Sequence, residues 1–275
     1  MRDPFRIDGP AVVSFSGGRT SAYMLRRMLD AHDGALPDGM HVVFTNTGKE
    51  REETLRFIAD VSAQWGVRIR WVERDKKRKA GERWRETNFD TASRDGEPFA
   101  ELIGHKKYLP NPIARFCTVA LKVETLRDFM RAEAPGERWT NIVGLRYDEP
   151  ARVSKIRARD HGEWDAAAPL FDARVTKADV MAFWKAQPFD LALQPWESNC
   201  DLCFLKSREI RERIMRDRPE LAAWWIEQER AVSGRFRPHD PGYAAMSARV
   251  RSLPVLPMGL DAPDAGESVA CACTD

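Results

Sequence analysis

The sequence predicts an α/β fold: a doubly wound, mostly parallel sheet with a helical C-terminal part and an extended tail. Two observations carry that prediction. Short apolar runs alternate with amphipathic segments from Ala11 onward, and the β-α-β-α-β order implies parallel strands joined by right-handed crossovers. A length of 275 residues is enough for one large core, and a hydrophobic content of 43% with 31% charged residues is that of a globular chain.

The first strand is "AVVSF", residues 11–15, apolar enough to be buried. After two glycines, Thr20 or Ser21 is placed to cap a helix whose Met24, Leu25, Met28 and Leu29 form a stripe. "MHVVFTNTG" reads as a second buried strand. The helix "EETLRFIADVSAQWG" follows, with Leu55, Ile58, Ala59 and Trp65 on one face and Gly66 at its end. "VRIRWVE" alternates as a strand, with Val67, Ile69 and Trp71 on one side. Residues 74–115, rich in charge and in Gly/Pro turns, read as a long loop over the strand ends.

Regular patterning returns in "CTVALKVETLRDFM", a helix expected to bury Val119, Val123, Leu126 and Met130. "TNIVGLR" is a further strand, and "TKADVMAFWKAQ" opens with a Thr176/Asp179 capping box before Val180, Phe183 and Trp184. Helical patterning continues over 206–230 with a break near Pro219, where "LAAWWIEQ" reads as a packed helix. The last forty or so residues read as tail. The expected division is an α/β domain over 1–210, with its insertion at 74–115, and a helical extension with a Cys-containing tail over 211–275.

Net charge is only +2, so the chain as a whole is not an electrostatic nucleic-acid binder. The basic run "DKKRKAGERWR", residues 75–85, is a local candidate for gripping a nucleic-acid backbone or a plain solvated loop. No apolar run is long enough to cross a bilayer and the N-terminus lacks a secretory pattern, so the cytoplasm is the expected location and no membrane the expected partner.

Strand, Gly-rich turn and helix together form an anion site, because unpaired N–H groups and the positive end of the helix dipole share one space. "SGGRTS" supplies Ser16, Gly17, Gly18, Arg19, Thr20 and Ser21 at such an end, without Walker or dinucleotide-fold spacing. The cysteines make a second signal. Cys117, Cys200, Cys203, Cys271 and Cys273 form an odd set in a chain expected to be cytoplasmic, which favours metal or thiol chemistry over a disulfide framework. The C-x-x-C turn lets Cys200 and Cys203 converge on one metal, with Cys117 at a helix start as a third ligand; structural zinc and a redox pair are the alternatives.

Taken in order, these segments resemble the PP-loop superfamily of adenine nucleotide alpha-hydrolase-like proteins, and within it the phosphoadenosine phosphosulfate reductase-like family. "SFSGGRTS" is similar to the S-G-G-x-D-S loop, "NTGKEREET" to the D-T-G…E-T segment and "GLRYDEPAR" to G-x-R-x-x-E-S-x-x-R. "RFCTVALKVETL" and "APLFDARVTKADVMAFW" are similar to the Cys-containing helix and the P-L…W element. The likeness covers about residues 10–210.

The resemblance implies a HUP-like domain that binds ATP. Ser14, Phe15, Ser16 and the Phe44, Thr45 and Asn46 backbones would read adenine, Gly144 would line the cleft, and Arg146 and Arg152 would face phosphate or sulfate oxygens. Arg157 and Arg159 read as solvated. Thr20 and Asn46 replace the usual Asp residues, leaving Glu50, Glu53 and Asp148 as candidates for placing Mg²⁺. In related reductases a Cys-Cys pair and a C-x-x-C hold a [4Fe–4S] cluster. Here Phe116 precedes Cys117, so three ligands and one open iron are implied.

The implied activity is adenylation of a substrate followed by sulfur transfer, with Cys117, Cys200, Cys203 and Arg146 as catalytic residues. tRNA, DNA or a small molecule would be the acceptor, and a sulfur donor or reductant protein and a second copy of the chain the other partners. Sulfonucleotide reduction is the alternative enzyme, although the tail with Cys271 and Cys273 lacks the E-C-G-x-H pattern of those reductases. A zinc-stabilised nucleic-acid-binding module is the non-catalytic alternative.

Overall fold

The computed structural model describes residues 3–194 and 196–252. Strands β1 (Ala11–Ser14), β2 (Met40–Asn46), β3 (Ile69–Arg74), β4 (Trp84–Thr87), β5 (Trp139–Val143) and β6 (Trp164–Ala167) form one sheet in the order β4-β3-β2-β1-β5-β6. All neighbours are parallel except β3 and β4. The expected α/β sheet is therefore present, and its strand order reverses at β1, which pairs with β2 on one side and β5 on the other.

Alternate side chains of each strand enter opposite cores, because successive Cβ atoms point to opposite faces. Ala11, Val13, Val42, Phe44 and Trp71 pack under α1 (Arg19–Ala31), α2 (Glu52–Trp65) and Lys177–Lys185, which is α8 below. Val12, Val43, Val72 and Val143 pack on the other face with Leu126, Phe129, Val153 and Ile156. Gly66 closes α2 in the left-handed conformation at φ 61°, as its position in the sequence predicts.

The 74–115 segment is more ordered than a loop. It holds β4, which turns back antiparallel on β3, and α3 (Glu97–Lys106). Buried Glu73 fastens it: its carboxylate accepts from Asn46 Nδ2 (2.6 Å), Ser93 N (2.7 Å), Ser93 Oγ (2.9 Å) and Arg85 (2.6 Å). These partners lie 12 to 27 residues away in sequence, beyond the reach of periodicity.

The following helix departs from its expected face. It begins as α4 (Phe116–Thr118), widens into a π-helical turn at Val119–Glu124 and continues as α5 (Thr125–Glu133). The wider turn rotates the stripe, so Val119 is 43% exposed while Ala120, Leu121, Leu126, Phe129 and Met130 are buried.

Beyond β5, Pro150–Ala158 forms α6 and Pro169–Asp172 forms α7. The capping box opens α8 (Lys177–Lys185) as expected, with Asp179 accepting from Thr176 N at 2.8 Å. Helices α9 (Arg208–Asp217), α10 (Ala222–Ala231) and α11 (Tyr243–Ser252) pack with α3 and Leu121 into a third core around Phe204, Trp225, Phe236 and Tyr243. "LAAWWIEQ" is a packed helix as expected, and α11 corrects the reading of the last forty residues as tail from their start. Cys271 and Cys273 lie outside the described residues.

Candidate functional site

In an open α/β sheet, ligands bind beyond the carboxyl ends of the strands where the order reverses. That place is the end of β1, and the residues there are Ser16–Ser21. Gly17 turns at φ 76°, and a Cβ on it would lie 2.7 Å from Thr54 Cγ2 and 2.9 Å from Ile58 Cδ1 of α2. Only glycine allows both the turn and this approach. Gly18 forms the N-cap of α1 without a side-chain bond, which corrects the expected Thr20 or Ser21 cap. The amides of Gly17, Gly18, Arg19 and Thr20 donate to no described residue, so the positive end of a 13-residue helix faces the loop's concavity.

Hydroxyls shape the loop from inside. Ser21 Oγ lies 3.0 Å from Ser16 Oγ and donates to Gly18 O at 2.9 Å. Gly144, at the end of β5, would place a Cβ 3.4 Å from Ser21 Cα, so its bareness brings β5 against the start of α1. Arg146 reaches Thr20 Oγ1 at 3.3 Å while paired with Asp148 at 3.0 Å, and it is 15% exposed. This puts a guanidinium at the rim of the loop. Arg152 pairs with Glu149, which also holds Arg146, one step further out.

Several of the expected site residues carry bonds of their own within the fold. Arg19 turns away from the loop and forms a fork on Asp190 (2.7 and 2.9 Å), fixing the segment after α8. The Phe15 amide donates to Val43 O at 2.9 Å, which continues the sheet. Asn46 is fully buried, spending its amide on Glu73 and Ser93 O, and Thr45 pairs in register with Val72. Ser14 Oγ is likewise spent on Asn141 Oδ1 at 2.6 Å. The three Mg²⁺ candidates are all engaged: Glu50 by Thr47, Glu53 by Arg51 and Arg218, Asp148 by Arg146.

The cysteine segment is stitched to this loop. Asn199, immediately before Cys200, donates from Nδ2 to Ser16 O at 2.6 Å, and its carbonyl accepts from Arg51 N at 2.8 Å. Glu50 and Cys200 form an isolated antiparallel bridge, and Asp201 N donates to Lys49 O at 2.9 Å. The C-x-x-C turn thus lies as a strap beside the phosphate loop. Buried charges hold it there. Lys49 pairs with Asp201 at 2.9 Å, Trp225 Nε1 donates to Asp201 at 2.8 Å, and Lys206 Nζ donates to the carbonyls of Cys200 and Asp201.

Cys200 is buried with Sγ 3.8 Å from Glu50 Oε1, the oxygen that also meets Lys122 Nζ at 3.4 Å. Lys122 stands on the π-turn that follows Cys117, so Glu50 connects the strap to the cysteine helix. Cys117 and Cys203 are half-buried against the third core, where Tyr243 Oη donates to Leu202 O at 2.6 Å. Burial pushes the Tyr243 hydroxyl well above its ordinary pKa, which keeps it protonated as that donor.

Among the described residues, no three His, Cys, Asp or Glu side chains gather into a group able to hold a metal ion. Cys117, Cys200 and Cys203, expected as three ligands of one metal, form no such group among the described residues. Asn199, Lys49, Lys122 and Lys206 escaped sequence reasoning. Only Asn199 left a signal, its adjacency to the C-x-x-C turn.

Glu53 gives the site a measurable acid sensitivity. Burial pushes its carboxyl up, but its backbone N–H, Arg51 and Arg218 outweigh this and hold it below the ordinary range. A depressed carboxylate contributes stability that is full above its unfolded value, about 4.3, and lost as pH falls through the folded value. The urea-midpoint gap between the native chain and Glu53→Gln should therefore be constant near neutral pH and shrink as pH falls from about 5 through the depressed folded value.

The phosphoadenosine phosphosulfate reductase domain family matches residues 10–190. The chain belongs to this family. Its members are enzymes that work on nucleotides, and the match spans the loop, the sheet and α8. The nin region protein ORF290 of Escherichia phage lambda is 32% identical over 204 residues, 72% of this chain and 67% of its own. A protein of Methanocaldococcus jannaschii is 30% identical over 244 residues, 86% of this chain but 44% of its own length, so the chain spans less than half of that relative.

Two solved structures are more distant. The Candida auris phosphoadenylyl-sulfate reductase in its phosphate complex has a TM-score of 0.39 at 14% identity, over 66% of this chain and 76% of its own. The Methanococcus maripaludis U34-tRNA thiolase, with its [4Fe–4S] cluster, has 0.41 at 12%, over 92% and 76%. Chemistry is not transferable at such distance, so the site must be read from this chain's own geometry. No helix among the described residues is long and apolar enough to cross a membrane.

Proposed function

We propose that this reductase-family chain is an ATP-using enzyme that adenylates an acceptor oxygen and replaces it with sulfur at the Cys200/Cys203 strap. The bond from Asn199 to Ser16 O supports the reading most directly, because it fixes the thiol turn to the loop suited to phosphates. In the first step the acceptor oxygen attacks the α-phosphorus and the bond to the β-phosphate breaks, releasing pyrophosphate. The first-turn amides of α1 and Arg146 stabilise the charge that develops on the phosphates. In the second step a sulfane sulfur carried as a persulfide on Cys200 displaces AMP from the activated carbon. A second thiol then attacks Cys200 Sγ and breaks its bond to the transferred sulfur, which leaves with the product; the resulting disulfide is reduced by an external dithiol, and a persulfide-bearing donor reloads Cys200.

No step here passes through a metal. Iron and zinc content of anaerobically purified protein reports whether the three sulfurs are also drawn together around one. The primary test is AMP and pyrophosphate release from ATP with candidate acceptors. Arg146→Ala should lower that rate by about 10²- to 10³-fold, the usual cost of one lost transition-state donor. Cys200→Ser should leave ATP binding intact while abolishing sulfur incorporation. ATP binding without AMP formation across acceptor classes would refute the reading.

A second reading, sulfonucleotide reduction, is favoured by the family itself. It predicts sulfite release from a phosphosulfate donor with no pyrophosphate.

A further inference from the structure

The basic run 75–85 connects β3 to β4 and enters β4, and its Lys76–Lys79 stretch belongs to none of the site contacts above. It follows the carboxyl end of β3, and β3 runs parallel to β2 and β1, so it projects from the same end of the sheet as the phosphate loop. Its cations point outward. Lys76, Lys77, Arg78 and Lys79 are consecutive and exposed, and of the four only Arg78 has an ion pair among the described residues, with Asp75 at 3.6 Å. Four adjacent cations in a chain of net charge +2 are a local concentration, not a property of the whole surface.

This run is laid along the cysteine helix. Arg74 Nη1 donates to Ala120 O at 2.8 Å and pairs with Glu124 at 3.1 Å, both in the π-turn after Cys117, and Arg83 N donates to Asp128 at 3.1 Å in α5. At the other end of the same helix, Tyr108 is 49% exposed and packs edge-on against Phe116, with its ring centroid 4.9 Å away. Exposed Lys107 precedes it. The helix that carries Cys117 therefore has a stretch of exposed cations fastened along it and an exposed aromatic packed at its start.

We infer that this surface docks a single-stranded nucleic acid, with phosphates along Lys76–Lys79 and an unpaired base against Tyr108 beside Cys117. Cations that follow a backbone and an aromatic face that receives a base are the two parts of single-strand recognition. A base to be modified must also leave its stack to reach a site. Assigning that strand as the acceptor rests on the adenylation reading; the docking itself does not.

The test is anisotropy of fluorescein-labelled single-stranded DNA and RNA of about 12 nucleotides, titrated across salt and without ATP. Lys76→Ala/Lys77→Ala/Lys79→Ala should lower the slope of log K against log salt by about 2, since each single-strand phosphate contact contributes about 0.7. Replacing the same three by arginine should restore it. Tyr108→Ala should weaken binding about tenfold with the slope unchanged. Binding of either strand type supports the inference. It is overturned if neither binds at low salt, if the triple alanine variant binds as the native chain does, or if duplex DNA or anionic vesicles bind as tightly. An ATP-induced rise in melting temperature, measured on the same proteins, tests the adenylation reading separately and should be equal in native and triple-variant chains.

Discussion

Replacing Gly96 by alanine is expected to lower the melting temperature by about 6–10 °C, the largest stability effect anticipated from a single methyl group in this chain. Gly96 sits at φ 80°, and a Cβ there would lie 2.5 Å from Trp224 Nε1 and 2.7 Å from Lys49 Cδ. Its own backbone is already closed on Gly48, where a Cβ would lie 3.0 Å from Gly96 Cα. Lys49 is held in place by buried Asp201, and its Nζ lies 5.0 Å from the centroid of the Trp224 ring. A non-glycine residue in the left-handed region costs about 1–3 kcal/mol, and overpacking adds about 1–3 kcal/mol. Thermal melts of Gly96→Ala beside Gly104→Ala provide the check. Gly104 has nothing within 4 Å of its Cβ position and lies inside α3, so its substitution should be neutral or mildly stabilising.

Asn199→Ala should separate nucleotide binding from sulfur chemistry. The side chain makes the 2.6 Å bond to Ser16 O that ties the cysteine strap to the phosphate loop. Its loss leaves that carbonyl without this donor, at about 1–3 kcal/mol if buried, and frees the strap to shift. Ångström-scale misplacement of reacting groups costs about 10²-fold in rate. ATP affinity, measured by calorimetry, should fall less than about tenfold, since the amides of α1 remain, whereas sulfur incorporation should fall by about 10². Equal losses in both would show that Asn199 only supports the loop. Asn199→Asp separates the cases again, because a carboxylate cannot donate to a carbonyl.

Much of the fold was legible because its signals are local. The β-α-β-α-β order, the Gly66 stop, the Thr176/Asp179 box and the packed Trp helix each depend on residues within one turn or strand of one another. The misses share a physical cause. The π-turn at Val119–Glu124 shifts the buried face by widening one turn, and nothing in a stripe of valines signals it. β4 was hidden because its place is set by Glu73 and its distant partners, and α3 because Phe99, Leu102 and Ile103 pack against helices more than a hundred residues further along the chain.

The site divides the same way. Sequence by itself determined that a glycine-bearing turn follows a buried strand and precedes a helix, and that Cys200 and Cys203 share one turn, because spacing along the chain fixes such features. Only the tertiary structure decided that Arg19 braces Asp190 instead of facing phosphate, that Asn46 is spent on Glu73, and that Asn199 joins the cysteine turn to the loop. Those choices depend on where an acceptor 171, 27 or 183 residues away comes to rest, and a side chain's partner is set by that meeting rather than by its own identity.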